Sequence, residues 1–166
     1  YIEAYQATKK DYYKKTAQEI FTYGLRDLTD AGGGFYSAED ADSEGKEGKF
    51  YLWTSGELET LLGKTDGEFV ARAFNAAMDG NYYEESTREY TGEKILHLTK
   101  DADVLAYEAG LSEEEFLKRS ESLRQKLFDA REKRVHPFKD DKILTDWNGL
   151  MIAALSKGAQ AFNEPK

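Results

Sequence analysis

The chain has no cysteine, only two prolines, and no apolar run long enough to span a membrane. The missing cysteines exclude disulfides, thiolate metal sites and thiol nucleophiles. Acidic residues outnumber basic ones by 32 to 23, which gives a formal net charge of −9 at pH 7. Because no basic stripe can neutralise phosphates, neither nucleic acid nor a membrane surface is an expected partner. No signal-peptide pattern is visible, and a cytoplasmic protein is expected.

The residues that are present suffice for one folded domain. The 166 residues are 40% hydrophobic and 13% aromatic, with 11 tyrosines and 9 phenylalanines. A chain of this length and composition can bury a real core. The sequence begins inside one helical pattern and ends just after another. Residues 1–166 are therefore expected to form a single partial domain, a piece of a longer protein.

Hydrophobic periodicity predicts a mainly helical chain with one inserted β-hairpin. Helices are predicted over residues 5–28, 67–78, 102–109 and 146–162. Two further helices are predicted between these, a short one that extends to residue 62 and a long one that extends to residue 130. Thr54 and Ser112 are predicted to open two of these helices as capping boxes, and Thr145 to cap the last. The hairpin strands are predicted at residues 35–37 and 49–53. Residues 79–92 are an expected ordered loop, and 95–98 a short strand or extended connector.

Two dense polar segments interrupt this pattern, and the first covers residues 33–45. Side chains alternate along an extended run, so Asp40 and Asp42 are expected on one face and Glu39 on the other. Two carboxylates on one face can hold a cation or bind sugar hydroxyls, or one ionised carboxylate can keep its neighbour protonated for acid catalysis. A solvated acidic loop with Asx turns accounts for the same residues. Trp53, shortly after this segment, is a candidate substrate-binding residue.

No metal or cofactor is expected from the sequence. Residues 40–45 copy the opening of an EF-hand loop, but its twelfth position, which should be a bidentate Glu, is Tyr51. The two histidines, His97 and His136, lack the spacing of metal ligands. The glycines at 32–34 match neither a phosphate-binding loop nor a dinucleotide fingerprint.

The second polar segment covers residues 140–151 and leads into the last predicted helix. Asp141 and Lys142 are either a solvated ion pair or a catalytic pair with shifted protonation. Trp147 and Asn148 resemble a sugar platform, with an aromatic face for C–H groups and an amide that both donates and accepts. A core position for Trp147 is the alternative.

These segments are similar to the YyaL-like family, which includes spermatogenesis-associated protein 20. The matching stretches are residues 25–28, 33–44, 47–54, 92–97, 131–134 and 140–151. The resemblance implies a thioredoxin-like domain followed by an (α/α)6 toroid akin to six-hairpin glycosidases and N-acylglucosamine 2-epimerases. The chain lacks a Cys-x-x-Cys motif and a βαβ pattern, so it is expected to be an arc of the toroid alone. In such toroids the substrate funnel lies at the N-terminal ends of the inner helices.

The leading hypothesis is a carbohydrate-active or carbohydrate-binding toroid segment. In the intact protein it would serve glycoside cleavage or sugar epimerisation by carboxylate acid/base chemistry. The candidate catalytic residues are Asp40, Asp42 and Asp141, and the candidate substrate-binding residues are Glu39, Trp53, Lys142, Trp147 and Asn148. This hypothesis predicts that the two segments converge in one concave pocket.

The alternative hypothesis is a non-catalytic regulatory or scaffold module whose carboxylates organise loops around helix ends. The resemblance carries no defined activity, so the sequence leaves open whether the protein is an enzyme. The expected partners are a sugar ligand and the remainder of the toroid. Exposed helix seams also predict self-association of the chain.

Overall fold

The structure is a computed structural model that describes residues 1–76, 79–84 and 87–164. It is mainly helical, as predicted, with small antiparallel strand pairs. The helices are α1 Ile2–Thr8, α2 Asp11–Asp27, α3 Ser55–Leu62, α4 Lys64–Ala73, α5 Ala102–Glu108, α6 Glu113–Arg131 and α7 Thr145–Phe162. The strands are β1 Ala38–Glu39, β2 Asp42–Ser43, β3 Lys46–Glu47, β4 Tyr83–Glu84, β5 Glu89–Tyr90 and β6 Lys139–Asp140.

The chain divides into two compact units. Unit 1 comprises Tyr1–Asp40 and the residues from Phe138 onward, and unit 2 comprises Ala41–Pro137. Unit 1 holds α1, α2 and α7 with the paired strands β1 and β6. Unit 2 holds the remaining helices and the hairpins β2–β3 and β4–β5.

The single helix predicted over residues 5–28 is two helices in the structure. Lys9 adopts a left-handed conformation, with φ of 58°, and its backbone N–H bonds to the Tyr5 carbonyl. Lys10 is extended and precedes the first residue of α2. A left-handed residue ends a helix because the next residue cannot continue the same turn. Periodicity missed this break because the apolar pattern runs through it.

Helices α2 and α7 of unit 1 approach each other closely at glycines. A Cβ built on Gly158 would lie 2.5 Å from the Phe21 ring, and one on Gly24 would lie 3.0 Å from the terminal methyl of Met151. Both glycines are buried. A methyl group at Gly158 would therefore have to displace the Phe21 ring, whereas one at Gly24 would need only a small shift of the flexible Met151 side chain.

We expect Gly158→Ala to lower the free energy of unfolding by about 1–2 kcal/mol, because the added methyl must displace the Phe21 ring. Gly149 is the matched control in the same helix, since a Cβ there meets nothing within 4 Å. Gly149→Ala should stabilise by about 0.5–1 kcal/mol through helix propensity alone. Chemical denaturation of both variants checks the pair. Equal effects of the two substitutions would contradict the close approach of α2 and α7.

The core of unit 2 lies among α3, α4, α5 and α6, where Val70, Phe116 and Leu123 are at most 2% exposed. The two predicted capping boxes are confirmed: Thr54 with Glu57 begins α3, and Ser112 with Glu115 begins α6. Helix α4 begins at residue 64, earlier than predicted, and ends at residue 73. The predicted continuation to residue 78 includes residues 77 and 78, which lie outside the described residues.

The prediction of the inserted hairpin is wrong, because residues 35–37 do not pair with residues 49–53. Instead Asp42–Ser43 pairs with Lys46–Glu47. Glu44 and Gly45 between them have φ of 54° and 74°. Two consecutive positive φ values make the two-residue turn that closes a tight hairpin. The loop was predicted to be long because Glu44 carried no sequence signal for a left-handed conformation.

Other short pairings lie in unit 2. Tyr83–Glu84 pairs with Glu89–Tyr90 inside the predicted loop over 79–92, of which residues 85 and 86 lie outside the described residues. Trp53 and Lys94 exchange both backbone hydrogen bonds at an isolated bridge. Residues 95–98 follow it as a connector without strand pairing. Within the described ranges, no helix has the length and apolar character to cross a membrane.

Candidate functional site

The two polar segments meet in unit 1 through backbone pairing. Strand β1 of the first segment runs antiparallel to β6, which begins just before the second segment, with Ala38 opposite Asp140 and Glu39 opposite Lys139. The backbone N–H and the hydroxyl of Ser37 both donate to the Asp140 carbonyl, at 3.2 and 3.1 Å. These contacts join residues about one hundred positions apart in the chain, so no local pattern could reveal them.

Asn148 on α7 makes a second connection between the two segments. Its Oδ1 accepts from the backbone N–H of Phe35 at 2.7 Å. Its Nδ2 donates to the carbonyls of Phe35 and Leu144, each at 3.0 Å. These are the atoms that the sugar-platform prediction assigns to a ligand. In the structure they hold the backbone of the first segment against the start of α7, which is a positioning role.

Glu39 is anchored on the partly buried side of the strand pair. Its side chain is 10% exposed and accepts a hydrogen bond from the Tyr23 hydroxyl at 2.9 Å. Lys139 Nζ lies 3.9 Å from Glu39 and also donates to the Asp27 carbonyl. A carboxylate with these partners is held in place by α2 and β6 together. Tyr23 and Lys139 were not predicted as site residues, because they reach Glu39 only through the fold.

Lys142 pairs with Asp140 rather than with Asp141, the predicted partner. Its Nζ lies 2.8 and 2.9 Å from the two carboxylate oxygens of Asp140. The hydrogen bond to Lys142 lowers the pKa of Asp140, and the same bond raises the pKa of Lys142. Asp140 is therefore held ionised. Asp141 beside it is exposed.

A phenol and a further carboxylate extend this polar cluster. The Tyr36 hydroxyl donates to Asp30 at 2.7 Å. That hydrogen bond raises the pKa of Tyr36, and the charge of Asp141 raises it further. The same bond from Tyr36 lowers the pKa of Asp30, as does the backbone N–H of Gly32. Tyr36 stays a protonated donor beside two carboxylates, one of which is the predicted catalytic Asp141.

The Asp140 carboxylate should contribute stability that depends on pH. Because its folded-state pKa is depressed, its contribution is present above the unfolded-state value of about 3.9 and is lost as the pH falls through the folded-state pKa. At pH 6 we expect the melting temperature of the wild-type protein to be higher than that of Asp140→Asn. This difference in melting temperature, the gap, should become smaller below about pH 4. Melting curves of both proteins from pH 6 to pH 3 measure this gap. A constant gap would show that the ion pair with Lys142 has no thermodynamic effect.

The remaining predicted residues are divided between the units, with Asp40 and Trp147 in unit 1 and Asp42 and Trp53 in unit 2. Asp40 is exposed at the end of β1 in unit 1, and Asp42 is exposed opposite Glu47 in the hairpin of unit 2. Trp147 is 51% exposed, which does not fit the alternative of a core position. Trp53 is 6% exposed and belongs to the core of unit 2. A ring buried in this way is not presented to a ligand, so Trp53 is a structural residue.

Cavities lie elsewhere on the two units. Unit 1 has a cavity of about 290 Å³ between its three helices, and unit 2 has one of about 400 Å³ beside α6. Neither is lined by a predicted site residue. Within residues 1–76, 79–84 and 87–164, no group of three or more His, Asp or Glu side chains is arranged to hold a metal ion.

Comparison with known proteins finds no matching family model but several relatives. Spermatogenesis-associated protein 20 of Homo sapiens is 33% identical over 170 residues, which covers 92% of this chain and 22% of that protein. The protein of the same name in Mus musculus is 30% identical over 183 residues, covering 100% and 23%. An uncharacterised protein of Caenorhabditis elegans is 32% identical over 173 residues, covering 95% and 24%. The chain thus spans less than a quarter of the length of these relatives.

Proposed function

Since this chain belongs to the spermatogenesis-associated protein 20 family, we propose that it is an arc of an (α/α)6 toroid. In the intact protein this arc would contribute carboxylates to a carbohydrate site. The site would lie at the junction of the two polar segments in unit 1. Glycoside cleavage or sugar epimerisation by acid/base chemistry is the proposed reaction.

The observation that carries the proposal is the pairing of β1 with β6 in unit 1. It brings Glu39 and Asp140 onto neighbouring strands, and each is followed at once by an exposed aspartate, Asp40 or Asp141. Carboxylates accept hydrogen bonds from sugar hydroxyls, and the oxygen of Tyr36, whose hydrogen is donated to Asp30, can accept another. The junction would therefore supply acceptors for sugar hydroxyls on a backbone that Asn148 holds in place.

The proposed chemistry divides the carboxylates by their surroundings. Asp140 is kept ionised by Lys142 and suits charge stabilisation. Asp141 and Asp40 are exposed in this chain and are the proposed acid and base. A group that gives a proton to a leaving oxygen must itself be protonated, which requires the closed site of an intact toroid to exclude water. The exposed Trp147 ring would pack against C–H groups of the sugar.

A saccharide panel screened by thermal shift on the intact protein tests this proposal. We expect at least one neutral sugar to raise the melting temperature, and Asp141→Asn to abolish that shift. Asp103→Asn is the control, because Asp103 is an exposed aspartate in the first turn of α5, far from the junction in sequence. A panel without any shift, or a shift that survives Asp141→Asn, would defeat the carbohydrate proposal.

A scaffold role is the second candidate, and a specific observation favours it. The amide of Asn148, the carbonyl of Asp140 and the ammonium of Lys142 all bind groups of the chain itself. Segments whose polar groups are used internally can be retained for folding alone. On this account the intact protein binds no sugar, while substitutions in the junction lower its stability.

A further inference from the structure

Asn148 and Gly149 form the one Asn-Gly pair in the sequence. In such a pair the asparagine side chain can lose its amide without an enzyme, because glycine has no Cβ to shield its backbone nitrogen. In this structure the same amide joins the two polar segments. We propose that Asn148 is a deamidation site that the junction keeps closed, so that opening of the junction leads to irreversible conversion of Asn148 to aspartate or isoaspartate.

The conversion needs no reactant other than water. The backbone nitrogen of Gly149 gives its proton to a solvent base and attacks Cγ of Asn148. A bond from that nitrogen to Cγ forms, the bond from Cγ to Nδ2 breaks, and Nδ2 leaves as ammonia after it takes up a proton. Water then opens the resulting cyclic imide at either carbonyl. One product is aspartate, and the other is isoaspartate, in which the main chain continues through the side-chain carbon.

Both reacting groups are occupied in the folded chain. Asn148 Oδ1 accepts from the N–H of Phe35 at 2.7 Å, and Nδ2 donates to the carbonyls of Phe35 and Leu144, each at 3.0 Å. Gly149 lies within α7, where a backbone N–H donates to the carbonyl four residues earlier. The attack therefore requires the amide to leave Phe35 and the start of α7 to open.

Hydrogen bonds and helix geometry, not burial, protect the pair. Asn148 is half-buried and Gly149 is exposed in this chain. A Cβ built on Gly149 meets nothing within 4 Å. No packed side chain therefore has to move before solvent base can reach the Gly149 nitrogen, and the rate of conversion should follow the opening of the junction.

Neither product can restore the junction. An aspartate at position 148 can accept from the N–H of Phe35, but its carboxylate has no N–H to donate to the Phe35 carbonyl. An isoaspartate adds a carbon to the backbone and interrupts the regular hydrogen bonding of α7. Conversion therefore leaves the junction weaker than before, and its opening becomes permanent.

Peptide mapping of the intact protein tests the proposal. Trypsin cleavage after Lys142 and Lys157 releases residues 143–157, in which Asn148 is the only amide side chain. A mass gain from amide to acid in this peptide therefore reports on Asn148 alone. At mildly alkaline pH, conversion in buffer should be at least about a hundredfold slower than in denaturing urea, because it requires the opening that also exposes the Phe35 amide to exchange.

Three variants separate the chemistry from the protection. Gly149→Ala should slow conversion in urea roughly tenfold, because the added Cβ restricts the backbone and shields its nitrogen. Ser37→Pro leaves the contacts of Asn148 in place but removes the N–H and the hydroxyl that donate to the Asp140 carbonyl. It should speed conversion in buffer at least about tenfold. Ser37→Ala keeps the N–H and should have a smaller effect.

The comparison of buffer with urea uses the wild-type protein, so it does not depend on the folding of Ser37→Pro. Equal rates of conversion in the two conditions, or no conversion in urea, would overturn the proposal. Protein converted in urea and then refolded tests irreversibility. Its Phe35 amide should exchange faster than that of unconverted protein, and unchanged protection would contradict a junction that cannot re-form.

Discussion

Replacing Arg134 with alanine is expected to lower the free energy of unfolding by about 3 kcal/mol, because it leaves two part-buried carbonyls without this donor. Arg134 Nη1 donates to the carbonyls of Phe50 at 3.0 Å and Leu52 at 2.6 Å, and Nη2 donates to Glu57 at 3.1 Å. Its guanidinium carbon lies 4.1 Å from the centroid of the Trp53 ring. One side chain therefore fixes the backbone before α3 to the residues that follow α6.

Two further variants separate these contributions in unit 2. Arg134→Lys should recover less than half of the loss, because a single ammonium cannot reproduce the planar, multidentate donor. Arg124→Ala is the control, since Arg124 makes an exposed pair with Glu121 three residues away, and it should cost at most about 0.5 kcal/mol. Urea denaturation of the three variants gives the comparison. If Arg124→Ala and Arg134→Ala lose equal stability, the hydrogen bonds of Arg134 to the carbonyls of Phe50 and Leu52 do not stabilise the fold.

Asn148→Ala is expected to cost about 2–3 kcal/mol, because it removes three hydrogen bonds and leaves the backbone N–H and carbonyl of Phe35 unpaired. The loss should appear in unit 1, where Asn148 connects the start of α7 to the first polar segment. Asn148→Asp should also destabilise, since a carboxylate can accept from the N–H of Phe35 but cannot donate to its carbonyl.

The control for Asn148 lies on the same helix. Gln160 is an exposed amide side chain of α7, and Gln160→Ala should change the stability by less than about 0.5 kcal/mol. Thermal melts at low protein concentration compare the variants without interference from self-association. If Asn148→Ala melts at the wild-type temperature, the amide does not hold the two segments together.

Local signals predicted the starts of two helices, whereas Thr145, the predicted cap of the last helix, is its first residue and Leu144 is the N-cap. The capping boxes at Thr54 and Ser112 fixed the starts of α3 and α6, since each depends on side chains three residues apart. The break at Lys9 escaped prediction, because lysine gives no signal for a left-handed conformation and the apolar pattern passes through it. Short-range chemistry therefore predicts where helices begin better than where they are interrupted.

The strand pairings could not be read from the sequence, because they depend on tertiary contacts. Strands of two residues carry no alternation, and β1 finds its partner β6 about one hundred residues later. The predicted hairpin joined the wrong strands for this reason. The tight turn at Glu44 and Gly45 made the actual hairpin much shorter than the polar stretch suggested.

Residue type and position singled out both polar segments, and the structure pairs β1 of the first segment with β6 at the start of the second in unit 1. The catalytic roles of Asp40, Asp42 and Asp141 stay a prediction. Two predicted residues have other partners in the structure. Lys142 pairs with Asp140 and not with Asp141, and the amide of Asn148 binds the backbone of the first segment where a sugar was predicted. Trp53 was misassigned because a buried ring and a ligand-facing ring look alike in sequence. Its stacking with Arg134 could be seen only in three dimensions.

Hydrogen exchange of the backbone amides measures the junction of the two segments most directly. The N–H groups of Phe35, Ser37 and Asp40 donate to Asn148 Oδ1, the Asp140 carbonyl and the Phe138 carbonyl. We expect these amides to exchange at least about a hundredfold more slowly than in an unfolded chain, and Asn148→Ala to release them together. Exchange of Phe35 and Ser37 at the unprotected rate, while the amides of α7 remain protected, would contradict the junction and the site proposed on it.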